Sequence, residues 1–184
     1  SSMSYSITAS ISLLDSDADG IIDRLYAVDT GGQVWRVDLA ALETATANPE
    51  STTVVGKLAE IGSDVTDSIK RRFFDAPSVV QVTDTVFSNE SDYDYVLVGS
   101  GYRAHPLDTE VEDRFYAFRD FFIGANEMED DDGDNVSESI DGYPQISGSA
   151  YSNSDLIDVT STILDSSDST HKEAGGWFYD FTDA

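Results

Sequence analysis

The hexapeptide Asp23-Arg24-Leu25-Tyr26-Ala27-Val28 returns as Asp113-Arg114-Phe115-Tyr116-Ala117-Phe118. Asp, Arg, Tyr and Ala match, and the other two positions stay large and apolar. Both copies are short, aromatic and β-branched or apolar at alternate positions, as strands are. The offset of 90 residues is too long for one propeller blade of roughly 40–50 residues. It fits two blades, or one blade with a long insertion.

The rest of the chain supports a mainly β fold. Residues 4–14 alternate and predict a strand. Leu25-Tyr26-Ala27-Val28, the turn Asp29-Thr30-Gly31-Gly32 and Gln33 to Leu39 predict a hairpin, because a Gly pair can adopt positive φ. Residues 52–62, 78–87, 93–99, 113–119 and 175–181 predict further strands, the one at 93–99 buried on both faces because its centre is continuously apolar. Residues 40–50 fit a helical turn or a loop, and 63–72 a short helix start. From Asn126 the composition shifts: 127–134 holds six acids, and 137–172 is rich in Ser, Asp and Thr. The expected organisation is a blade-like core with a metal loop at 4–125, an acidic insertion or partly disordered segment at 126–174, and a returning terminal strand at 175–184.

Charge restricts the partners. Thirty-six Asp and Glu stand against ten Lys and Arg, a formal net charge of -26. A nucleic-acid binder needs a basic footprint, so nucleic acid is excluded as a partner. An anionic membrane surface is disfavoured on the same ground. No stretch approaches the ~20 apolar residues of a membrane span. With no Cys, disulfides and thiolate metal sites are absent. The opening Ser1-Ser2-Met3 reads as the start of an internal fragment, so the lack of a leader says nothing of destination.

The strongest chemical signal is Asp15-Ser16-Asp17-Ala18-Asp19-Gly20-Ile21-Ile22-Asp23. Calcium takes six to eight oxygens at about 2.3–2.6 Å from a flexible loop. Carboxylates at Asp15, Asp17 and Asp19 converge when the backbone wraps round an ion, and Gly20 permits the sharp turn after the third. The Ile21 carbonyl then faces inward, Asp23 closes the sphere, and the Ile21 and Ile22 side chains anchor the loop. Counted from Asp15, the loop follows the EF-hand pattern at positions 1, 3, 5, 6, 7 and 9 but has Tyr26 where the bidentate Glu belongs. Its flanks are strands rather than helices, so it is an EF-hand-like loop grafted between strands. The plainer reading, an Asp-Gly surface turn, leaves four crowded carboxylates repelling one another. Asp130, Asp132 and Gly133 keep part of this spacing, with Met128 in place of the first ligand; a solvated acidic run is the default there.

No Ser/His/acid set can be defended, and no enzymatic activity is expected. His105 is read as structural, tying its loop by a hydrogen bond, with a contact to Asp108 or a ligand as the sharper alternative; His171 lies in the polar tail and carries less weight. Trp35 is read as a core aromatic with Arg36 on the opposite face of its strand, a sugar- or cofactor-stacking site being the sharper alternative.

The runs DSDADGIIDRLYAVDTGGQVWRVDL at 15–39 and YVLVGSGYRAHPLDTEVEDRFYAFRD at 95–120, with Arg71-Arg72-Phe73-Phe74 before the second, resemble the PilY1/PilC-type type IV pilus biogenesis proteins. That resemblance implies a C-terminal β-propeller on a fimbrial, surface, outer-membrane-associated or periplasmic protein. It implies calcium at Asp15, Asp17, Asp19 and Asp23 with the Ile21 carbonyl. It also implies a role in pilus extension and retraction, twitching motility and adhesion, with pilins, pilus machinery or host surfaces as partners. A full family propeller is longer than 184 residues, so a partial or shortened propeller is expected. A purely structural, calcium-stabilised adhesive module and a quinone-dependent dehydrogenase fragment stay open as alternatives.

Overall fold

The computed structural model describes residues 3–16, 18–39, 54–62, 71–83, 92–107, 110–121 and 150–181. The expectations for 40–50, 63–70, 84–87 and 126–149 lie outside them, as does the candidate run 129–134.

Two sheets pack face to face. The first is an antiparallel meander of β1 (Ser12–Leu14), β2 (Arg24–Val28), β3 (Gln33–Asp38) and β4 (Val54–Glu60), paired in that order. The second contains β5 (Ser78–Thr83), β6 (Asp92–Gly99), β7 (Arg114–Asp120), β8 (Ile157–Asp158) and β9 (Gly176–Asp180), in the order β5-β6-β7-β9-β8. All pairs are antiparallel except β8 with β9. A short helix α1 (Ser169–Glu173) precedes β9. The architecture is mainly β, and its blade-like antiparallel sheets match the arrangement expected from the sequence.

The hexapeptide repeat extends to the partner strands. In β2–β3, Arg24 pairs with Asp38 and Ala27 with Trp35; in β7–β9, Arg114 pairs with Asp180 and Ala117 with Trp177. The closing backbone bonds also correspond. Leu39 N donates to Asp23 O at 2.6 Å and Phe181 N to Asp113 O at 3.0 Å. Asp29 N donates to Gln33 O at 3.1 Å and Arg119 N to Gly175 O at 2.8 Å. The two hairpins are one unit used twice. In the first, a four-residue turn joins the strands; in the second, residues 121–175 are inserted between them.

That first turn is held by a buried carboxylate. Asp29, fully shut from solvent, accepts Gly31 N at 2.8 Å, Gln33 N at 3.1 Å and Trp35 Nε1 at 2.9 Å. Only Gly32 of the Gly pair has positive φ, 74°. Gly31 is set by packing instead: a Cβ there would stand 2.2 Å from the Tyr5 ring, and its own carbonyl lies 2.0 Å from where a Cβ on Gly62 would be.

The core lies between the sheets. Val28, Val34, Ala59 and Ile61 from the first side meet Val96, Val98, Tyr116 and Phe118 from the second, all at most 2% exposed. Each Val, Ile or Phe side chain withdrawn from water there is worth about 1.5–3 kcal/mol. Tyr116 stacks on Phe118 with centroids 5.4 Å apart and meets Phe73 edge-on at 6.0 Å, geometries that aromatic quadrupoles favour.

Three local expectations change. Residues 4–11 alternate but are not strand, because no described strand runs beside them; the segment is tied by Thr30 N to Ser6 O at 3.0 Å and by Thr8 Oγ1 to Phe73 O at 3.4 Å. Strand β6 is closed at Val96 and Val98, while Tyr95 and Leu97 on its other face are only half-buried. Within the segment expected to loop away from the core, Tyr151 and Leu156 are buried in it at 5% and 7% exposure, and β8 adds a parallel edge to β9. These residues were hidden among Ser and Asp, where two isolated apolar side chains give no period.

Candidate metal centre

The loop 15–23 leaves β1 and enters β2. Asp15 accepts from Asp19 N at 3.2 Å and Gly20 N at 2.9 Å, and Asp19 accepts from Ile21 N at 2.7 Å. The chain reverses through Ala18 at φ 64° and Gly20 at φ 93°, the left-handed region that Gly occupies at no steric cost. Asp23 accepts from both the backbone N–H and the hydroxyl of Ser16. Its own backbone is tied on both sides, N to Leu14 O at 2.9 Å and O to Leu39 N at 2.6 Å. The loop is thus wrapped on itself at Asp15 and bolted to the first sheet at Asp23.

The structure brings Asp15 and Asp19 into one backbone turn and places Asp23, 6% exposed, at its base. Asp17 lies outside the described residues. Among the described residues no three His, Cys, Asp or Glu side chains converge as a metal-holding group, because each described carboxylate of the loop turns onto a backbone N–H. The donor set is all oxygen, the ligand type that a hard cation takes. Ile22 is half-buried, but Ile21 is 50% exposed, so the expected anchoring by both isoleucines is corrected to Ile22 alone.

Sequence reasoning missed a second polar constellation in the seam between the sheets. Arg24, Arg36, Asp38, Asp94 and Asp120 are all at most 2% exposed. Arg24 pairs with Asp94; Arg36 pairs with Asp120 at 2.7 Å and Asp38 at 2.6 Å. The Tyr26 hydroxyl lies 3.0 Å from Asp94 and 2.7 Å from Asp120, and these two carboxylates stand opposite each other in the β6–β7 register. Burial pushes the Asp94 carboxyl above its usual range, against the pull of Arg24. Burial and the two carboxylates push the Tyr26 phenol well up. Arg36 loses solvation, but Asp120, Tyr26 and Asp38 together hold its proton more tightly. Arg36 and Trp35 lie on opposite faces of β3, as expected, and both are buried, at 2% and 1% exposure. The available signal was a charge inside a run of strand formers, as in Tyr93-Asp94-Tyr95; alternation alone assigns such a charge to solvent.

The histidines occupy loops. His171 Nδ1 accepts from Asp165 N at 2.9 Å, and the exposed His105 ring lies 5.0 Å from Tyr102. Arg119, 1% exposed, donates to the carbonyls of His171 and Lys172 at 3.1 and 3.2 Å, fixing the end of α1. Among the described residues no helix is long and apolar enough to cross a membrane.

No family model and no curated protein matches the sequence. By structure, the chain is similar to the crystal structure of the Pseudomonas aeruginosa PilY1 C-terminal domain, with a TM-score of 0.56 and 20% identity. The likeness covers 94% of this chain and 38% of that chain, so this chain spans well under half of it. The relation is one of fold: this chain has the β-sheet arrangement found in part of that domain.

Proposed function

We propose that the chain is a calcium-binding module of a type IV pilus biogenesis or adhesion protein, acting outside the cytoplasm at the pilus or cell surface. In this reading it is not an enzyme. It modulates pilus extension and retraction or surface attachment, with pilins, pilus machinery or a host surface as partner. The observation that carries the reading is the loop between β1 and β2. There Asp15 gathers the amides of Asp19 and Gly20 while the chain turns through two left-handed residues, bringing acidic oxygens into one short turn. The fold likeness to a pilus-protein domain supports the setting. Asp15, Asp17, Asp19 and Asp23 would hold the ion through carboxylates and Ile21 through its carbonyl. Calcium would supply the positive charge that lets these oxygens sit together.

Calorimetric titration with calcium tests this. Binding at one site, strongly weakened by Asp23→Ala and unaltered by Asp108→Ala, supports the assignment. Equal effects of the two substitutions, or no binding to the parent protein, would overturn it. Loss of twitching motility in cells carrying Asp23→Ala separates modulation of the pilus from a purely structural role.

A further inference from the structure

We propose that cation loading of the 15–23 loop and docking of the two sheets are one coupled equilibrium, transmitted through Asp23, Arg24 and Asp94. The inference rests on the calcium reading above and adds to it what the ion would control.

The loop belongs to the first sheet by sequence but touches the second. Ser16, which donates to Asp23 through its N–H and hydroxyl, accepts from Gln81 Nε2 of β5 at 3.1 Å through its carbonyl. Ser12 of β1 donates to Pro77 O beside the same strand. A second connection runs through the chain itself. Asp23 ends the loop and is held from both sides by backbone bonds. The next residue, Arg24, reaches across the seam to Asp94. Gln81 and Asp94 are register partners in β5 and β6, and Asp94 and Asp120 are partners in β6 and β7. Both connections from the loop therefore end on one rung of the second sheet.

That rung is poised rather than settled. Asp94 has no solvent exposure, yet among the described residues its Oδ1 makes no hydrogen bond, and Arg36 Nε is buried and likewise has no partner among them. Buried polar networks are steep functions of geometry, because an unmet group in a low-dielectric interior carries its full desolvation cost. A shift of Asp23 that reaims Arg24 changes the balance of the whole seam. A cation drawing the Asp23 and Asp19 oxygens inward would produce such a shift, and by linkage a change in the seam must alter cation affinity by the same factor.

The test is a calcium titration by calorimetry, joined to amide hydrogen exchange with and without calcium. The proteins are the parent, Asp94→Asn and Gln81→Ala, with Ile163→Ala as an exposed control. The printed partners of Asp94 among the described residues are Arg24 and Tyr26, outside the loop, yet Asp94→Asn is expected to weaken calcium affinity by about 5-fold or more, in the range of ordinary coupling. Gln81→Ala, a surface change that leaves the seam packed, should weaken it in the same direction, and Ile163→Ala should not. In the parent, calcium should slow exchange in Arg24–Val28 and Asp92–Gly99 as well as in the loop. If calcium binds all four proteins equally and protects the loop alone, the coupling is wrong while the calcium site stands. If the parent binds no calcium, the site reading fails and the coupling falls with it.

Discussion

Arg24 of β2 and Asp94 of β6 meet across the seam between the two sheets as an ion pair closed to solvent, at 2% and 0% exposure. Each is the other's reason for tolerating burial. Removing one charge leaves the second unpaired in a low-dielectric interior, which costs about 3–5 kcal/mol. Arg24→Ala is therefore expected to lower stability by about that amount in urea denaturation. Arg103→Ala breaks the pair with Asp75, whose partners are 67% and 73% exposed; screening holds its cost to about 1 kcal/mol or less. Similar losses in the two variants would mean that the seam pair is not buried as described.

The same pair makes stability depend on pH with a definite sign. Asp94 has a raised folded-state pKa, chiefly from burial. Its contribution is complete below the unfolded Asp value of about 3.9 and is lost as pH rises through the raised folded value. Asparagine cannot ionise. The stability of the parent relative to Asp94→Asn should therefore be greatest in acid and shrink as pH rises across that window. Urea midpoints measured from pH 4 upward check this; a difference that grows with pH would contradict it.

Gly176 is the position where the second hairpin cannot accept a side chain. Its φ is 141°, and an added Cβ would stand 2.0 Å from Ala117 O of the neighbouring strand. Gly176→Ala should cost at least about 1–3 kcal/mol from the backbone alone and should loosen β7–β9. Faster amide exchange at Phe115 and Ala117 would register it. Gly99→Ala is the control, since nothing lies within 4 Å of the added atom.

Calcium at a hundredfold excess over its Kd should stabilise the folded chain by about 2.7 kcal/mol, if the unfolded chain does not bind it. For a chain of 184 residues this raises Tm by roughly 5–10 °C. Scanning calorimetry with calcium and with chelator measures the shift, and Asp19→Ala should abolish it. Gly20→Ala probes the same loop through its backbone. The site has room for the methyl group, but φ there is 93°, so the variant should bind calcium more weakly without losing its fold. An unchanged affinity would show that the turn at Gly20 does not shape the site.

Much of the fold was legible because its signals are local. The hairpin at β2–β3 follows from two alternating runs and a turn with a Gly pair, and the loop 15–23 from acid spacing; neither needs a distant residue. The repeat of Asp-Arg-x-Tyr-Ala was visible, but its second half was not. The Trp and Asp on β9 that answer Trp35 and Asp38 on β3 come after an insertion that removes any fixed offset. In residues 4–11 the alternation was present without the ladder, because a strand also needs a neighbour.

What the residues determined alone is therefore most of the strands, the turn at Asp29 and the close acid spacing of the loop 15–23. Tertiary structure decided where the charges go. Alternation assigns Arg36, Asp94 and Asp120 only to one face of their strands, and a face becomes interior or surface only when a second sheet covers it. Here the cover brings together opposite charges 70 and 84 positions apart. Electrostatic pairing at that separation has no local signature, since its energy depends on distance in space and on the water that packing removes.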